Sequence, residues 1–307
     1  MSARGKHIEL FLVDGTASGR ITAEIAGWTG HVLAGPRSDL AGILARRESN
    51  RNGAYLLIGD DQKTGGVKCY IGRTENLAQR IGSHERNKPF WDRLVLISAK
   101  DDAFNEGHWG YLEARLIGIA RDAARAVLEN GNTPQGRALS EAQKSDMEAF
   151  IEQLQIILPV LGVNVIRPRP KATPVELADG SASPIFVLKD AKRTVDARAQ
   201  VIDDEFVVLQ GSQAVGQWAA RGKAESTKRS YAAYSTAHEK LIADGTLEVR
   251  DGHGFFTRDT PFASPSTAAA VILGRSSNGR MEWKWDGRPY AEWEERGLDE
   301  ELGKAPA

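Results

Sequence analysis

The chain of 307 residues is long enough to form two domains, each with its own hydrophobic core. Apolar residues make up 41% of it and charged residues 26%, which is typical of globular proteins and argues against disorder throughout. The 40 Lys and Arg residues face 41 Asp and Glu residues, giving a formal net charge of −1. A protein that coats nucleic acid regardless of sequence is normally basic. Contact with nucleic acid would therefore have to be local, through a basic patch or a metal ion.

Cysteine usage and apolar runs bear on where the protein resides. Cys69 is the single cysteine, which excludes an intrachain disulfide and fits a reducing compartment. No apolar run approaches the roughly 20 residues that span a bilayer, and the N-terminus lacks the apolar stretch of a signal peptide. We therefore expect a soluble cytoplasmic protein that does not associate with membranes. The oligomeric state stays open.

The first 50 residues predict a small β unit followed by a short helix. Apolar residues alternate through residues 7–35, with a turn at Asp14-Gly15. Residues 38–49 place Leu40, Ile43 and Leu44 on one helical face. We expect residues 1–50 to form an N-terminal β unit with this helix.

Residues 51–166 predict two strands joined by a polar loop, then a short helix, a third strand and two long helices. In chain order these elements cover residues 54–59, 69–72, 74–84, 90–98, 106–128 and 140–161. The third strand holds a continuous apolar run, which is typical of a strand buried on both faces.

A change of composition after residue 166 predicts a linker over residues 167–184, which is rich in proline and small polar residues. Residues 185–307 then restart the pattern with strands, a helix over 228–244, a hairpin over 246–257 and a helix over 265–273. The expected fold class is α+β: a small antiparallel sheet flanked by helices, followed by a second α+β domain.

Five side chains between residues 55 and 113 combine the groups that one-metal hydrolysis of a phosphodiester requires. Tyr55 and Tyr70 lie in neighbouring strands, and Arg80 and His84 lie four residues apart on one helical face. Glu113 lies in the long helix and offers carboxylate oxygens to a hard divalent cation. An arginine can neutralise charge that develops on the phosphate, and a phenol or imidazole can position and deprotonate water.

Each of these residues also has an ordinary structural role. A tyrosine in a strand is commonly a packing residue, and an Arg–His pair on a helix is commonly a solvated surface. A glutamate within a helix is a good helix former. The functional hypothesis therefore depends on the set of residues rather than on any single member.

The order and spacing of these residues resemble the GIY-YIG endonuclease domain. The matching segments are Gly53-Ala54-Tyr55, Tyr70-Ile71-Gly72-Arg73-Thr74, Asn76-Leu77, Arg80, His84, the strand at 90–98 and Leu112-Glu113-Ala114-Arg115-Leu116-Ile117. The resemblance implies a three-stranded antiparallel sheet flanked by helices. It also implies a bacterial enzyme that hydrolyses DNA with one divalent metal, Mg²⁺ or Mn²⁺. Two departures are the Gly-Ala-Tyr triplet in place of Gly-Ile-Tyr and the long loop between the two triplets.

The resemblance also implies a role for each matching residue. Tyr55 and Tyr70 would orient or activate water, Arg80 would stabilise the phosphate, Glu113 would bind the metal, and His84 would take part in proton transfer. The family's late asparagine falls at Asn130 or Asn132, and Asn132 is included in the predicted site. The alternative is a nucleic-acid-binding protein whose GIY-YIG fold no longer cleaves. A metabolic enzyme has no support, because the chain has no P-loop, no GxGxxG after a strand and no zinc-ligand spacing.

The second half resembles an uncharacterised domain that is often joined to bacterial GIY-YIG nucleases. It is also similar to a small domain attached to restriction and adenine-methylation enzymes. Ser264, Pro265 and Gly274 predict the start and end of one helix. By association we expect a DNA-reading domain.

Cations, a helix start and aromatic side chains are the candidate DNA contacts of this half. The tryptophans are more simply explained as core residues. The candidates are Lys228, Arg229, Arg258, Arg275 and Lys284 for phosphates, the Ser266 end of the helix for a further phosphate, and Trp283, Trp285 and Tyr290 for base stacking.

Overall fold

The computed structural model describes residues 5–61, 66–76, 78–81, 88–100, 104–132, 134, 138–169, 183–218 and 225–295. The chain divides into two compact units, Met1–Pro168 and Arg169–Ala307. Each unit combines helices with a mainly antiparallel sheet, so the predicted α+β class is confirmed. Within the described residues, every helix is too short or too polar to cross a membrane.

The first unit is built on a seven-stranded sheet in the order β1-β2-β3-β6-β4-β5-β7. All neighbouring strands are antiparallel except β5 and β7, which are parallel. The strands are β1 (Ile8–Leu12), β2 (Ile21–Ile25), β3 (Gly30–Pro36), β4 (Gly53–Asp60), β5 (Val67–Thr74), β6 (Trp91–Ala99) and β7 (Val127–Leu128).

The N-terminal β unit belongs to the same sheet as the strands that follow it. β3 pairs with β6 from Gly30 opposite Ala99 to Pro36 opposite Arg93. β4 pairs with the other edge of β6, and the continuous apolar run of β6 is buried on both faces of the sheet. The sheet is therefore larger than the three strands that the family resemblance implies.

Helices cover both faces of this sheet. One face packs against the two long helices, and the other packs against a short helix and against Ile81, which lies in the helical residues 78–81. The helices are α1 (Leu40–Leu44), α2 (Glu106–Ala123) and α3 (Glu141–Val160), with 3₁₀ turns at Arg37–Asp39 and Arg47–Asn50.

Side-chain caps start both long helices. The Asn105 side chain accepts the backbone N–H of Gly107 at 2.9 Å, and Ser140 with Gln143 forms a capping box at the start of α3. The prediction that the first long helix continues to residue 128 is wrong. Ala124 adopts the left-handed conformation at φ 45°, and the next residues form β7 against β5.

The second unit is built on a nine-stranded sheet, with the main path β12-β13-β11-β9-β8-β15-β16 and with β10 between β9 and β14. Its strands are β8 (Phe186–Asp190), β9 (Val195–Ile202), β10 (Glu205–Val208), β11 (Gln213–Val215), β12 (Leu247–Arg250), β13 (His253–Phe256), β14 (Thr260–Phe262), β15 (Lys284–Trp285) and β16 (Arg288–Pro289). The helices are α4 (Glu225–Ala243), α5 (Pro265–Leu273), α6 (Gly279–Glu282) and α7 (Tyr290–Glu294).

The turn and the helix cap that the sequence predicts in this unit are both present. The hairpin predicted over residues 246–257 is confirmed, with its turn at Asp251-Gly252, where both residues have positive φ. The cap of α5 is confirmed as well: Ser264 Oγ accepts the Thr267 N–H at 3.1 Å, and Gly274 ends the helix at φ 64°. Sequence patterns missed β9 because its inward residues Ala197 and Ala199 are small and give a weak alternation.

Candidate functional site

The two tyrosines of the triplets lie on one face of the β4–β5 pair. Tyr55 is paired with Gly72 and Leu57 with Tyr70, so Tyr55 and Tyr70 are diagonal neighbours. Their ring centroids are 6.1 Å apart. Tyr55 is fully buried, whereas Tyr70 is partly exposed.

Gly72 leaves the space that the Tyr55 ring occupies. A Cβ atom at position 72 would lie 2.7 Å from both Cζ and the hydroxyl oxygen of Tyr55. No real Cβ contact is this short, so a side chain here would displace the phenol. The glycine of the second triplet is therefore required by packing against the tyrosine of the first.

Arg80 joins the tyrosines to the rest of the site. Its Nε donates a hydrogen bond to the Tyr55 hydroxyl at 3.3 Å. Burial raises the pKa of Tyr55 well above the usual value, although the Arg80 hydrogen bond opposes the shift. The phenol therefore stays protonated at neutral pH. The hydrogen bond holds the Arg80 side chain against the buried Tyr55 phenol.

Glu113 lies on α2 and forms an ion pair with Arg73. Arg73 Nε and Glu113 Oε2 are 3.4 Å apart, and the glutamate is 8% exposed. Burial raises the pKa of Glu113, and the positive charges of Arg73 and Arg80 partly oppose the rise. The carboxylate is thus poorly hydrated and close to two guanidinium groups.

A polar cleft of about 320 Å³ brings Glu113 and Arg80 together at the end of β5. The described residues that line it include neither tyrosine, because the tyrosines lie on the sheet face opposite to α2. Its lining is Asn52, Arg73, Thr74, Glu75, Arg80, Glu106, Trp109 and Glu113. Arg80 is therefore the residue that connects the tyrosine pair with the cleft. A larger groove of about 1210 Å³, lined in part by Leu10, Trp91 and Val160, contains no member of the predicted site.

Two further predicted residues have different outcomes. His84 lies outside the described residues. Asn132 is described, and its side chain is exposed. Asn130, the other candidate, bonds to the backbone of Ile71 in β5: its Oδ1 accepts the N–H at 3.0 Å and its Nδ2 donates to the carbonyl at 2.7 Å. Asn130 is therefore the asparagine that is held beside Tyr70.

Arg73 and Glu106 are cleft residues to which sequence reasoning assigned no role. Arg73 Nη1 lies 3.2 Å from Glu106 Oε1, and the Arg73 guanidinium packs 3.7 Å from the position of a Cβ on Gly110. Glu106, Gly110 and Glu113 have the spacing of one helical face, so helical periodicity could have identified the pair of carboxylates. Arg73 gave no such signal, because its partners come from a distant helix.

The cleft suits a metal held by one carboxylate rather than a closed metal cage. Among the residues that the structure describes, no group of three or more His, Cys, Asp or Glu side chains has the geometry to hold a metal ion. Mg²⁺ is often bound by one or two carboxylates together with water and substrate phosphates. Glu113 on the cleft wall fits this mode, with the remaining positions left to oxygen atoms of water and substrate.

In the second unit, two of the three candidate stacking aromatics are core residues. Trp283 is fully buried and donates its indole N–H to the Pro265 carbonyl at 3.1 Å, and Tyr290 is 7% exposed. The explanation of the tryptophans as core residues is therefore confirmed for Trp283, and Tyr290 is a core residue as well. Trp285 differs, because 39% of it is exposed.

The helix start that was a candidate phosphate site is covered by protein. The Gly279 N–H donates to Ser266 Oγ at 3.1 Å, and a Cβ at Gly279 would lie 2.1 Å from the Pro265 carbonyl oxygen. The prediction of a phosphate site at this end of α5 is therefore wrong, because α6 occupies the space.

The candidate cations of the second unit differ in their contacts. Arg275 pairs with Glu282 at 2.8 Å, and Arg258 lies 3.5 Å from Asp244. Lys284 is exposed. The side chains of Lys228 and Arg229 lie outside the described residues.

Comparison with known proteins bears on the second unit only. Residues 186–294, about a third of the chain, match a family described as a domain of unknown function (DUF4357). Searches of curated proteins and of solved structures found no significant match. The second unit thus contains a match to a family of unknown function, and the comparisons assign no family to the first unit.

Proposed function

We propose that the first unit is a divalent-metal-dependent endonuclease that hydrolyses DNA phosphodiester bonds, as GIY-YIG enzymes do. The observation that carries this proposal is the position of Arg80, which bonds to the buried Tyr55 hydroxyl and also lines the cleft that contains Glu113. Residues from a strand, a short helical segment and a long helix thereby form one connected set.

Arg80 and Arg73 supply the cationic side of the cleft. Because the chain as a whole has a formal charge of −1, attraction for a phosphate must come from such local groups. A guanidinium donates two parallel hydrogen bonds to phosphate oxygens and stabilises the charge that grows on them during attack. The Tyr55 hydroxyl fixes the direction of Arg80, so it positions this group without touching the substrate.

Glu113 is the residue that would hold the metal ion. A divalent ion there would supply Lewis-acid stabilisation of the charge on the phosphoryl and leaving oxygens. Arg73 keeps the Glu113 carboxylate oriented toward the cleft through their 3.4 Å ion pair. Tyr70, the partly exposed phenol, and His84 are the two candidates to orient or deprotonate the attacking water. A bacterial cytoplasmic location, where DNA is present and Cys69 stays reduced, belongs to the same proposal.

Cleavage of plasmid DNA by the purified full chain tests this function. We expect nicking or linearisation with Mg²⁺ or Mn²⁺ and none with a chelator. Glu113→Gln and Arg80→Ala should lower the cleavage rate by about 10²- to 10³-fold, as removal of one electrostatic group does in other hydrolytic sites. Tyr55→Phe should lower it less, because it removes only the hydrogen bond that positions Arg80.

Matched controls are Glu152→Gln on the exposed face of α3 and Arg47→Ala on the surface, which should cleave at the parental rate. Binding of DNA without cleavage under either metal would identify a nucleic-acid-binding protein with a silent fold instead. Cleavage that persists in Glu113→Gln would refute the assigned role of this carboxylate.

A further inference from the structure

The β15–β16 hairpin of the second unit presents an aromatic side chain to solvent. All seven tryptophans of the chain lie in described residues, and Trp285 is the one that is exposed. Its neighbours in the turn, Asp286 and Gly287, have φ of 48° and 78°. Two consecutive positive φ values are those of a tight two-residue turn that matches the twist of a hairpin. The hairpin therefore holds Trp285 in a fixed, exposed position.

Arg288 lies beside this tryptophan on one face of the hairpin, whereas Lys284, one residue before it, points to the other face. Trp285 is paired directly with Arg288 across the hairpin, so the two side chains project from the same face. Lys284 precedes Trp285 and pairs with Pro289 in β16 and with Val187 in β8, which anchors the hairpin to the sheet. Lys284, Trp285 and Arg288 are all exposed.

The acidic residues nearby are largely occupied by other arginines. Glu282 pairs with Arg275 at 2.8 Å, and Arg280 contacts both Glu294 at 2.6 Å and Glu295 at 3.1 Å. Within the described part of the chain, neither Lys284 nor Arg288 forms an ion pair; Asp286 in the turn is two residues from each, and Glu282, two residues before Lys284, is paired with Arg275. Arg288 thus remains available to an anionic partner.

We propose that the hairpin of residues 284–289 binds nucleic acid, with Trp285 stacked on an unpaired base and with Arg288 against the adjoining phosphate. A flat aromatic surface beside a cation on the same face matches a base and its neighbouring phosphate along a single strand. Stacking requires an accessible base face, so unpaired nucleotides are the partner rather than a continuous duplex. This site is distinct from the cleft that contains Glu113 and does not depend on cleavage.

Fluorescence anisotropy with a short labelled single-stranded DNA tests the proposal. The full chain would carry Glu113→Gln, so that any cleavage does not consume the probe. Trp285→Ala should raise the Kd by about tenfold or more, because stacking on one base contributes roughly 1–3 kcal/mol. Trp285→Phe should retain most of the affinity, whereas Trp285→Leu should not, which separates stacking from apolar contact. Arg288→Gln should reduce the salt dependence of binding by about one phosphate contact.

Matched controls lie on the opposite edge of the same sheet, where Val249 is 43% exposed and Arg250 is exposed. Val249→Ala and Arg250→Gln should bind as the parent does. An unchanged Kd for Trp285→Ala, equal losses in the controls, or a loss confined to duplex DNA would each overturn the proposal. Circular dichroism of every variant establishes that the fold is intact. Because this experiment measures binding, a negative result does not bear on the proposed cleavage. A negative cleavage experiment likewise does not bear on binding by the hairpin.

Discussion

At the scale of single residues, the cleft is defined by opposing effects on the Glu113 carboxyl. Burial on α2 disfavours the charged form, while the guanidinium groups of Arg73 and Arg80 favour it. The net pKa is raised, so Glu113 gains its proton at a higher pH than an ordinary glutamate does. A metal-binding carboxylate must be ionised, and cleavage should therefore fall as the pH decreases through this raised pKa.

Arg73→Gln should move the acidic limb of the pH–rate profile to higher pH. The substitution removes the largest effect that lowers the pKa of Glu113, so the carboxyl protonates earlier on acidification. The measurement is the cleavage rate against pH, together with an NMR titration of the Glu113 carboxyl that needs no activity. Arg250→Gln in the second unit is the control and should leave the profile in place. If the acidic limb of the profile does not move, or moves to lower pH, Arg73 does not lower the pKa of Glu113.

At the scale of elements, the glycines of β4 and β5 are closely packed, whereas Gly118 of α2 is not. Gly72 faces the Tyr55 ring. Gly53 faces the backbone of β6, where a Cβ atom would lie 2.3 Å from the Ile97 carbonyl oxygen. Gly59 faces the residue that precedes β6, where a Cβ atom would lie 2.1 Å from the Phe90 carbonyl oxygen. Gly118 lies within α2 with no atom within 4 Å of its Cβ position. The sheet therefore requires its glycines for close approach, whereas this helical glycine only adds backbone freedom to the unfolded chain.

Gly72→Ala and Gly118→Ala should change stability in opposite directions. Gly72→Ala should lower the free energy of unfolding by about 1–3 kcal/mol, because the buried Tyr55 ring must move. Gly118→Ala should raise it by about 0.5–1 kcal/mol, the usual difference between the two residues within a helix. Denaturant titration of the unfolding transition measures both. Equal destabilisation of the two variants would show that the packing of Tyr55 is not the reason why position 72 requires glycine.

At the scale of the whole molecule, each hydrophobic core takes its members from one unit. The two clusters on the faces of the first sheet use residues up to Ile166, and the cluster of the second unit begins at Phe186. The backbone at Ser183 already belongs to the second unit, because its carbonyl accepts a hydrogen bond from Gln200 at 2.7 Å.

Residues 1–169 and 183–307 should therefore fold as separate fragments. Each contains a complete sheet and its own core, so each should give a cooperative thermal transition and a near-ultraviolet circular dichroism signal. Metal-dependent cleavage should reside in the first fragment, and the effect of Trp285→Ala on single-strand binding should persist in the second. A fragment without a cooperative transition would show that its core needs the other unit.

The sequence by itself determined the features that depend on neighbouring residues. Helix starts at Ser140 and Ser264 and the turn at Asp251-Gly252 follow from local hydrogen bonds and backbone preferences, and the structure has them where the pattern predicts. Many strands and helices could be predicted in this way. The exceptions are β9, the short strands β7, β11 and β14 to β16, the short helices α6 and α7, and the true end of α2.

Only the tertiary structure decided which of the distant residues meet. The pairing of Arg73 with Glu113, the choice of Asn130 as the asparagine beside β5, and the exposure of Trp285 next to the buried Trp283 all depend on contacts between separate elements. Such contacts arise from the register of the sheet and the packing of helices on it, which periodicity within one segment does not encode. For this reason Arg80 and Glu113 could be named from the sequence, whereas the other cleft residues, the shape of the cleft and the separation of the tyrosines from it could not.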